Sequence, residues 1–207
     1  MCGAPRIFEK VRAAVMTGST GLKGRIARWA FHVGYQSIDD RLAGRPLTGA
    51  LGLQYKIADK LVFSKLKEKL GGNIKFMISG AAKLSPQVQQ WFYGAGILIV
   101  EGYGATETSA IAGVDLPKDP HFGTVGPILP GIEKKLADDG ELLLRGPIIT
   151  PGYHNLPEES AEAIDADGWY HTGDIAEITP TGHLKITDRK KDLFKTSGGK
   201  FVAPQKV

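Results

Sequence analysis

Apolar positions recur along this chain with two different periods, helical in the first third and strand-like beyond it. Residues 5–36 read mostly as helix, interrupted by the punctuation Thr17-Gly18-Ser19-Thr20-Gly21. Residues 53–70 carry a clearer pattern: Leu53, Ile57 and Leu61, then Ala58, Val62 and Leu66, recur at four-residue steps. Gly71-Gly72 closes that helix. A short apolar strand is expected over 74–79, followed by a helix with Ser85 as N-cap, Pro86 at its first position and Val88, Trp91 and Phe92 on its buried face. Residues 97–100 return as a second strand, and strand, helix, strand in this order predicts an α/β layer with a largely parallel sheet.

From about Gly123 the punctuation becomes dense, with Gly126-Pro127, Pro130-Gly131, Asp139-Gly140, Gly146-Pro147, Pro151-Gly152, Asp167-Gly168 and Thr181-Gly182 separating short β-prone pieces. An antiparallel, barrel-like region is expected there. Leu136 and 142–144 form one hairpin through Asp138-Asp139-Gly140, and 175–178 and 183–187 form another through Pro180-Thr181-Gly182.

Composition narrows the class. A chain of 207 residues with 42% hydrophobic content buries a real core. Its longest apolar run is far short of the roughly 20 residues that cross a bilayer, and no secretory leader opens it, so a cytoplasmic place is expected. One cysteine, Cys2, excludes an internal disulfide. Charge is uneven: residues 1–72 hold 13 Lys/Arg against 5 Asp/Glu, whereas 73–207 hold 13 against 17. The basic third fits a solvated helix face first, peripheral contact with an anionic membrane second, and nucleic acid last, because its cations are interleaved with apolar residues and no nucleic-acid motif accompanies them. No nucleic-acid partner is expected. The five histidines sit at no zinc-ligand spacing, and Gly-x-Ser-x-Gly is absent.

The chemistry concentrates in Glu101-Gly102-Tyr103-Gly104-Ala105-Thr106-Glu107, just after the second strand. Glycines there let the backbone approach a ligand, a tyrosine ring suits a purine, a hydroxyl suits phosphate, and a carboxylate suits Mg2+. A bare Gly-Tyr-Gly is equally a strand, a turn and a solvated acid. The longer string is more specific. It resembles the signature of the adenylate-forming enzymes, the superfamily of acyl-CoA synthetases, peptide-synthetase adenylation domains and firefly luciferase. Gly140-Glu141-Leu142-Leu143-Leu144-Arg145-Gly146-Pro147, Gly168-Trp169-Tyr170-His171-Thr172-Gly173-Asp174 and Thr187-Asp188-Arg189-Lys190-Lys191-Asp192 follow in the family's order. Residues 5–10, the stretch Ala58-Asp59-Lys60-Leu61-Val62-Phe63 and the terminal Gly199-Lys200-Phe201-Val202-Ala203-Pro204 fit the long-chain fatty acyl-CoA synthetase branch.

The resemblance implies the rest. Residues 1–122 are the C-terminal part of the large AMP-binding domain, 123–188 its barrel-like subdomain, 189–191 a hinge and 192–207 the start of a small C-terminal domain. Gly80, Ala81, Ala82, Gly102, Tyr103 and Gly104 border the adenine; Ala81 stands where the family usually has a second glycine. Asp174 grips the ribose, Arg189 contacts ribose and phosphate, Lys191 is the hinge, and Lys195 approaches the active site in the thioester-forming state. Thr106, Glu107 and Lys195 are the catalytic candidates, with Glu107 as the Mg2+ ligand. Lys190 reads as part of a charged linker. ATP, Mg2+, CoA and a fatty acid are the small molecules implied for the full-length parent. The family's Ser/Thr/Gly-rich phosphate loop and its distal catalytic lysine are not in the 207 residues, so the chain reads as a fragment that is inactive alone. Rival readings are an adenylating enzyme for another carboxylic acid and a noncatalytic nucleotide-binding module.

Overall fold

The computed structural model describes residues 2–18 and 20–190, together with the backbone of two short strands, Phe194–Lys195 and Phe201–Val202. In chain order the elements are β1 (Cys2–Gly3), α1 (Pro5–Thr17), α2 (Gly21–Gln36), α3 (Ile38–Leu42), α4 (Gly49–Ala58), a π-helical turn (Asp59–Phe63), α5 (Ser64–Lys69), β2 (Phe76–Ser79), α6 (Pro86–Gly94) and β3 (Leu98–Tyr103). A 3-10 turn (Thr106–Thr108), β4 (Gly113–Val114), β5 (Glu133–Leu136), β6 (Glu141–Arg145), α7 (Pro157–Ala163), β7 (Tyr170–Ile178) and β8 (Leu184–Arg189) follow, with the two short strands as β9 and β10. They fall into two compact units, Met1–Glu101 with Asp115–Gly123, and Gly102–Val114 with Thr124–Val207.

In the first unit β1, β2 and β3 lie side by side and parallel, with Cys2 opposite Ile78 and Ser79 opposite Glu101. Helix α6 carries the chain from β2 to β3, the crossover that parallel neighbours require. Its Val88, Trp91 and Phe92 are buried as the pattern predicts, against Phe8, Phe31, Phe63, Met77 and Ile99. The Phe31 and Trp91 rings stack at 4.1 Å. Helices α2 and α6 approach through glycines: a Cβ on Gly34 would sit 2.8 Å from the Gly94 carbonyl oxygen.

Two expectations need correcting here. The helix expected over 53–70 is interrupted by the π turn, in which the Ser64 N–H donates to the carbonyl of Asp59, one residue further back than in an α-helix. The extra residue rotates the face that follows. Leu53 and Ile57, which precede the turn, and Leu61 within it are 63%, 42% and 45% exposed, while Ala58, Phe63 and Leu66 go inward. Asp59 at the turn accepts from Lys67 Nζ at 2.6 Å and Ser64 Oγ at 3.2 Å. Ser85, expected to cap α6, makes no side-chain cap; its hydroxyl pairs with Gln87 Oε1 instead.

The second unit is an antiparallel sheet in the order β5-β6-β7-β8, with Leu136 opposite Leu142 and Asp174 opposite Arg189. Both expected hairpins form, through Gly140 at φ 84° and Gly182 at φ 81°. Leu142, Leu144, Ala176 and Leu184 pack with Ala112 and Val125. Among the described residues the outer strands β5 and β8 are not paired to each other, so the sheet is open there. The chain is thus the mixed α/β protein its patterning predicts, parallel first and antiparallel after. No described helix is long and apolar enough to cross a membrane.

Where β2 ends, Ala81 takes φ 69°, the left-handed region that costs a residue with a Cβ roughly 1–2 kcal/mol. Opposite Ser79, Glu101 is only 3% exposed; its Oε2 accepts the Leu84 N–H at 2.9 Å, while Oε1 and the buried Ser79 Oγ have no hydrogen-bond partner among the described residues. Burial pushes the Glu101 carboxyl up to about 7, against the pull of the Leu84 amide.

Ala81→Gly exchanges that strain for the larger chain entropy of glycine, so its unfolding free energy is expected to stay level or rise by up to ~1 kcal/mol in urea melts. A loss would show that the left-handed turn is not formed. For Glu101 the folded pKa lies above the unfolded value, so the native state holds the proton longer. Its stability contribution is full below pH ~4.5 and declines as pH rises towards ~7. Glu101→Gln is expected to flatten stability across that window, measured by urea melts at stepped pH; an unchanged slope assigns the titration elsewhere.

Candidate functional site

In the second unit the loop after β3 is built from backbone packed against backbone. Gly102 and Tyr103 pair antiparallel with Val114 and Gly113, and the Ala112 N–H donates to the Tyr103 carbonyl at 2.8 Å. The return is so tight that a Cβ on Gly104 would stand 1.9 Å from the Ala110 carbonyl oxygen. Only glycine fits. Thr106 and Glu107 open the 3-10 turn, and Ser109 and Ala110 leave it at φ 52° and 94°.

Asp174 lies inside β7, not at the head of a strand as the Thr172-Gly173 turn suggests; the strand already begins at Tyr170. Gly173 at φ 70° and a register shift between Ile175 and Ala176 bend the strand around it. The carboxylate is 6% exposed, yet well partnered. Tyr103 Oη donates to its Oδ2 at 2.7 Å, and Arg189 Nε, on the neighbouring strand, pairs with its Oδ1 at 3.0 Å. Burial, then the Asp174 charge, raises the Tyr103 pKa far above the ordinary phenol value. That phenol therefore stays a neutral donor. A carboxylate offers about four lone-pair directions, and two remain for further donors. Two hydroxyls on adjacent carbons match that demand.

Glu107 is held by a second tyrosine. Tyr153 Oη donates to Glu107 Oε1 at 2.8 Å, which raises the Tyr153 pKa. Buried Tyr170 stands by both acids: burial, then the Glu107 charge, and further down that of Asp174, keep its phenol protonated. Tyr103, Asp174 and Arg189 thus form one bonded group and Glu107 with Tyr153 another, and Tyr170 feels the charge of both acids. The donor to Glu107 is a neutral phenol, which adds no positive charge beside a carboxylate of the kind that binds Mg2+. Thr106 lies one residue before Glu107 and is exposed.

Sequence reasoning gave Tyr153 no role and quoted Tyr170 only as part of a motif. The signal for Tyr153 was present: an aromatic directly after a glycine in a Pro-Gly turn, the same pairing that marks Gly102-Tyr103. Lys190, read as a charged linker, is also engaged, with Nζ 2.7 Å from both Asp139 and Glu141. Burial works to raise the Glu141 pKa, but Lys190 and the Gly173 N–H outweigh it and hold it low. Lys191 and the side chain of Lys195 lie outside the described residues. Gly80, Ala81 and Ala82 belong to the first unit, where Gly80 N–H donates to the Gly3 carbonyl at 3.3 Å and Ala81 takes the glycine-like conformation described above. The alanine that departs from the family's usual glycine thus adopts a positive φ.

Comparison with known proteins agrees in kind. Residues 1–154 match the family model described as AMP-binding enzyme. The putative fatty-acid–CoA ligase fadD11 of Mycobacterium tuberculosis is 40% identical over 98% of this chain and 36% of its own length. The peroxisomal long chain acyl-CoA synthetase 7 of Arabidopsis thaliana is 38% identical over 100% of this chain and 31% of its own. Among solved structures, the adenylation domain of a carboxylate reductase from Mycobacterium chelonae superposes with a TM-score of 0.63 at 28% identity, covering 99% of this chain and 29% of that one. The chain spans about a third of the length of the curated relatives it matches. With its motifs in order and its fold and sequence matched, the chain belongs to the AMP-binding enzyme family of adenylate-forming acyl-CoA ligases.

Proposed function

We propose that the chain is the ribose- and metal-binding portion of an ATP-dependent long-chain fatty acid–CoA ligase. The observation that carries this reading is the buried Asp174 carboxylate held between Tyr103 and Arg189, with two acceptor directions left for a vicinal diol. The name of the Mycobacterium relative supports a fatty-acid–CoA ligase, and the long-chain assignment is supported by the name of the Arabidopsis relative and by the Asp59-Lys60-Leu61-Val62-Phe63 stretch. In the parent reaction a fatty carboxylate oxygen attacks the α-phosphorus of ATP, forming acyl-AMP and releasing pyrophosphate. The CoA thiol sulfur then attacks the acyl carbonyl carbon and AMP leaves. No enzyme nucleophile is needed, so the protein contributes positioning and charge stabilisation.

In this scheme Asp174 accepts from both ribose hydroxyls, Tyr103 orients that carboxylate and offers its ring to the purine, and Arg189 reaches the ribose and phosphate from β8. Thr106 donates to a phosphate oxygen. Glu107 would hold Mg2+, which supplies charge stabilisation to the phosphate oxygens when bound. Gly80, Ala81, Ala82, Gly102 and Gly104 let backbone border the adenine. Residues 189–191 are proposed as the hinge of the parent, with Lys191 at its pivot, and Lys195 as a group of the thioester-forming state.

Two measurements test this. Calorimetric titration of the 207-residue chain with AMP and with a stable acyl-AMP mimic is expected to show preference for the mimic, and Asp174→Asn is expected to weaken both about tenfold or more. Equal affinities for the two ligands would favour a noncatalytic nucleotide-binding module, and an unaffected Asp174→Asn would remove the diol role. ATP–pyrophosphate exchange with palmitate is expected to show no turnover for this chain alone, because a phosphate clamp is missing from its sequence and even one donor is worth about a hundredfold. Clear exchange would contradict that expectation.

A further inference from the structure

The turn that carries Glu107 is gripped by a single loop of the same unit at three separate points. Ser109 Oγ donates to the Ile148 carbonyl at 2.8 Å, the Thr150 N–H donates to the Glu107 carbonyl at 2.8 Å, and Tyr153 Oη donates to Glu107 Oε1 at 2.8 Å. The first bond fixes the end of the turn, the second the backbone of Glu107, and the third its carboxylate. A glutamate side chain has three rotatable bonds, and a surface carboxylate ordinarily samples many rotamers. Here both ends of the side chain are tethered.

The loop is itself braced. Thr150 Oγ1 donates to the Gly152 carbonyl at 3.1 Å, and the Tyr153 N–H donates to Ser160 Oγ at 2.8 Å. Ser160 stands in α7 and also donates to the Leu156 carbonyl at 2.5 Å. Gly152 takes φ 146°, and a Cβ there would meet Ser160 Oγ at 2.9 Å, so the loop lies directly against the helix. A chain of contacts therefore runs from α7 through Ser160 to the backbone of Tyr153, and from its phenol to Glu107. Tyr153 is 37% exposed, more than a ring placed for core packing would be. Its hydroxyl has a defined partner all the same.

We propose that Tyr153 is a positioning residue for the metal-holding carboxylate: by occupying Glu107 Oε1 it presents Oε2 to the divalent cation that accompanies the nucleotide. This rests on the reading of Glu107 given above. A phenol is suited to the task because it orients the carboxylate as a hydrogen-bond donor without neutralising it, as a lysine or arginine would.

The test uses Mn2+ as a paramagnetic probe, titrated into the full 207-residue chain with ATP present and followed by water-proton relaxation. Tyr153→Phe keeps the ring and removes only the donor. It is expected to weaken Mn2+ binding about tenfold, the effect of one hydrogen bond to a charged group, while ATP affinity in EDTA stays unchanged. Glu107→Gln is expected to abolish the Mn2+ site. A Tyr153→Phe chain that holds Mn2+ as tightly as the parent overturns the positioning role and leaves Glu107 as the metal holder. Equal Mn2+ binding by the parent and Glu107→Gln overturns the metal reading of Glu107, and the proposal with it. If Tyr153→Phe fails to fold, Ser160→Ala, which frees the Tyr153 N–H, carries the same comparison: weakened Mn2+ binding supports the clamp and parental affinity overturns it.

Discussion

The second unit is organised around one carboxylate that water hardly reaches. Removing Asp174 from solvent is costly for a charged group, and the cost is met only when geometry supplies donors of its own. Tyr103 and Arg189 are those donors, and each arrives by a different route. Arg189 is placed by register, since it lies directly opposite Asp174 across the β7–β8 pair. A slip of one residue would turn either side chain to the other face, so the hairpin through Gly182 fixes the ion pair as firmly as the pair fixes the hairpin. Tyr103 is placed by the tight return at Gly104, where no larger residue fits against the Ala110 carbonyl.

The tyrosines give the site a consistent chemical logic. Three phenols stand around two acids, and all three are pushed away from ionisation, Tyr103 and Tyr170 chiefly by burial and Tyr153 by its bond to Glu107. Neutral donors add no positive charge beside the carboxylates. A site lined by lysines in their place would satisfy the same oxygens but cancel the field that a cation needs. Arg189 is the exception, and it is set on Asp174; its side chain is 68% exposed while that of Asp174 is 8% exposed. The guanidinium side chain thus stands largely in water, while the acid is buried.

Much of this was legible in the chain and some was not, for physical reasons that differ by element. Helix α6 and the two hairpins follow from proline, glycine and alternation, all of which act within a few residues. The π turn at 59–63 was invisible because one inserted residue changes no composition and merely rotates the face that follows. Leu53, Ile57 and Leu61 share a four-residue spacing yet lie exposed, while Phe63 and Leu66 are buried. Asp174 and Glu107 were singled out by their motifs. Their partners were harder to find, since Tyr153 meets Glu107 across 46 positions and Tyr103 meets Asp174 across 71, distances that no local pattern encodes. Ala81 shows the opposite case: the substitution was plain in the sequence, but its positive φ is a property of the surrounding turn.

On the proposed reading the two acids serve separate ends, which is why their supports differ. A group that grips ribose binds a part of the nucleotide that does not change during the reaction, so it favours ground state and transition state alike. Asp174 suits this: it is buried, fixed by two strong contacts and insensitive to what happens at phosphorus. A group that holds the cation acts where charge develops, and there a small error of placement costs rate more than affinity. Glu107 sits on an irregular turn with no strand register to position it. The three bonds from the Ile148–Tyr153 loop supply the constraint that a sheet supplies to Asp174, so a turn outside any sheet still presents its carboxylate in one orientation.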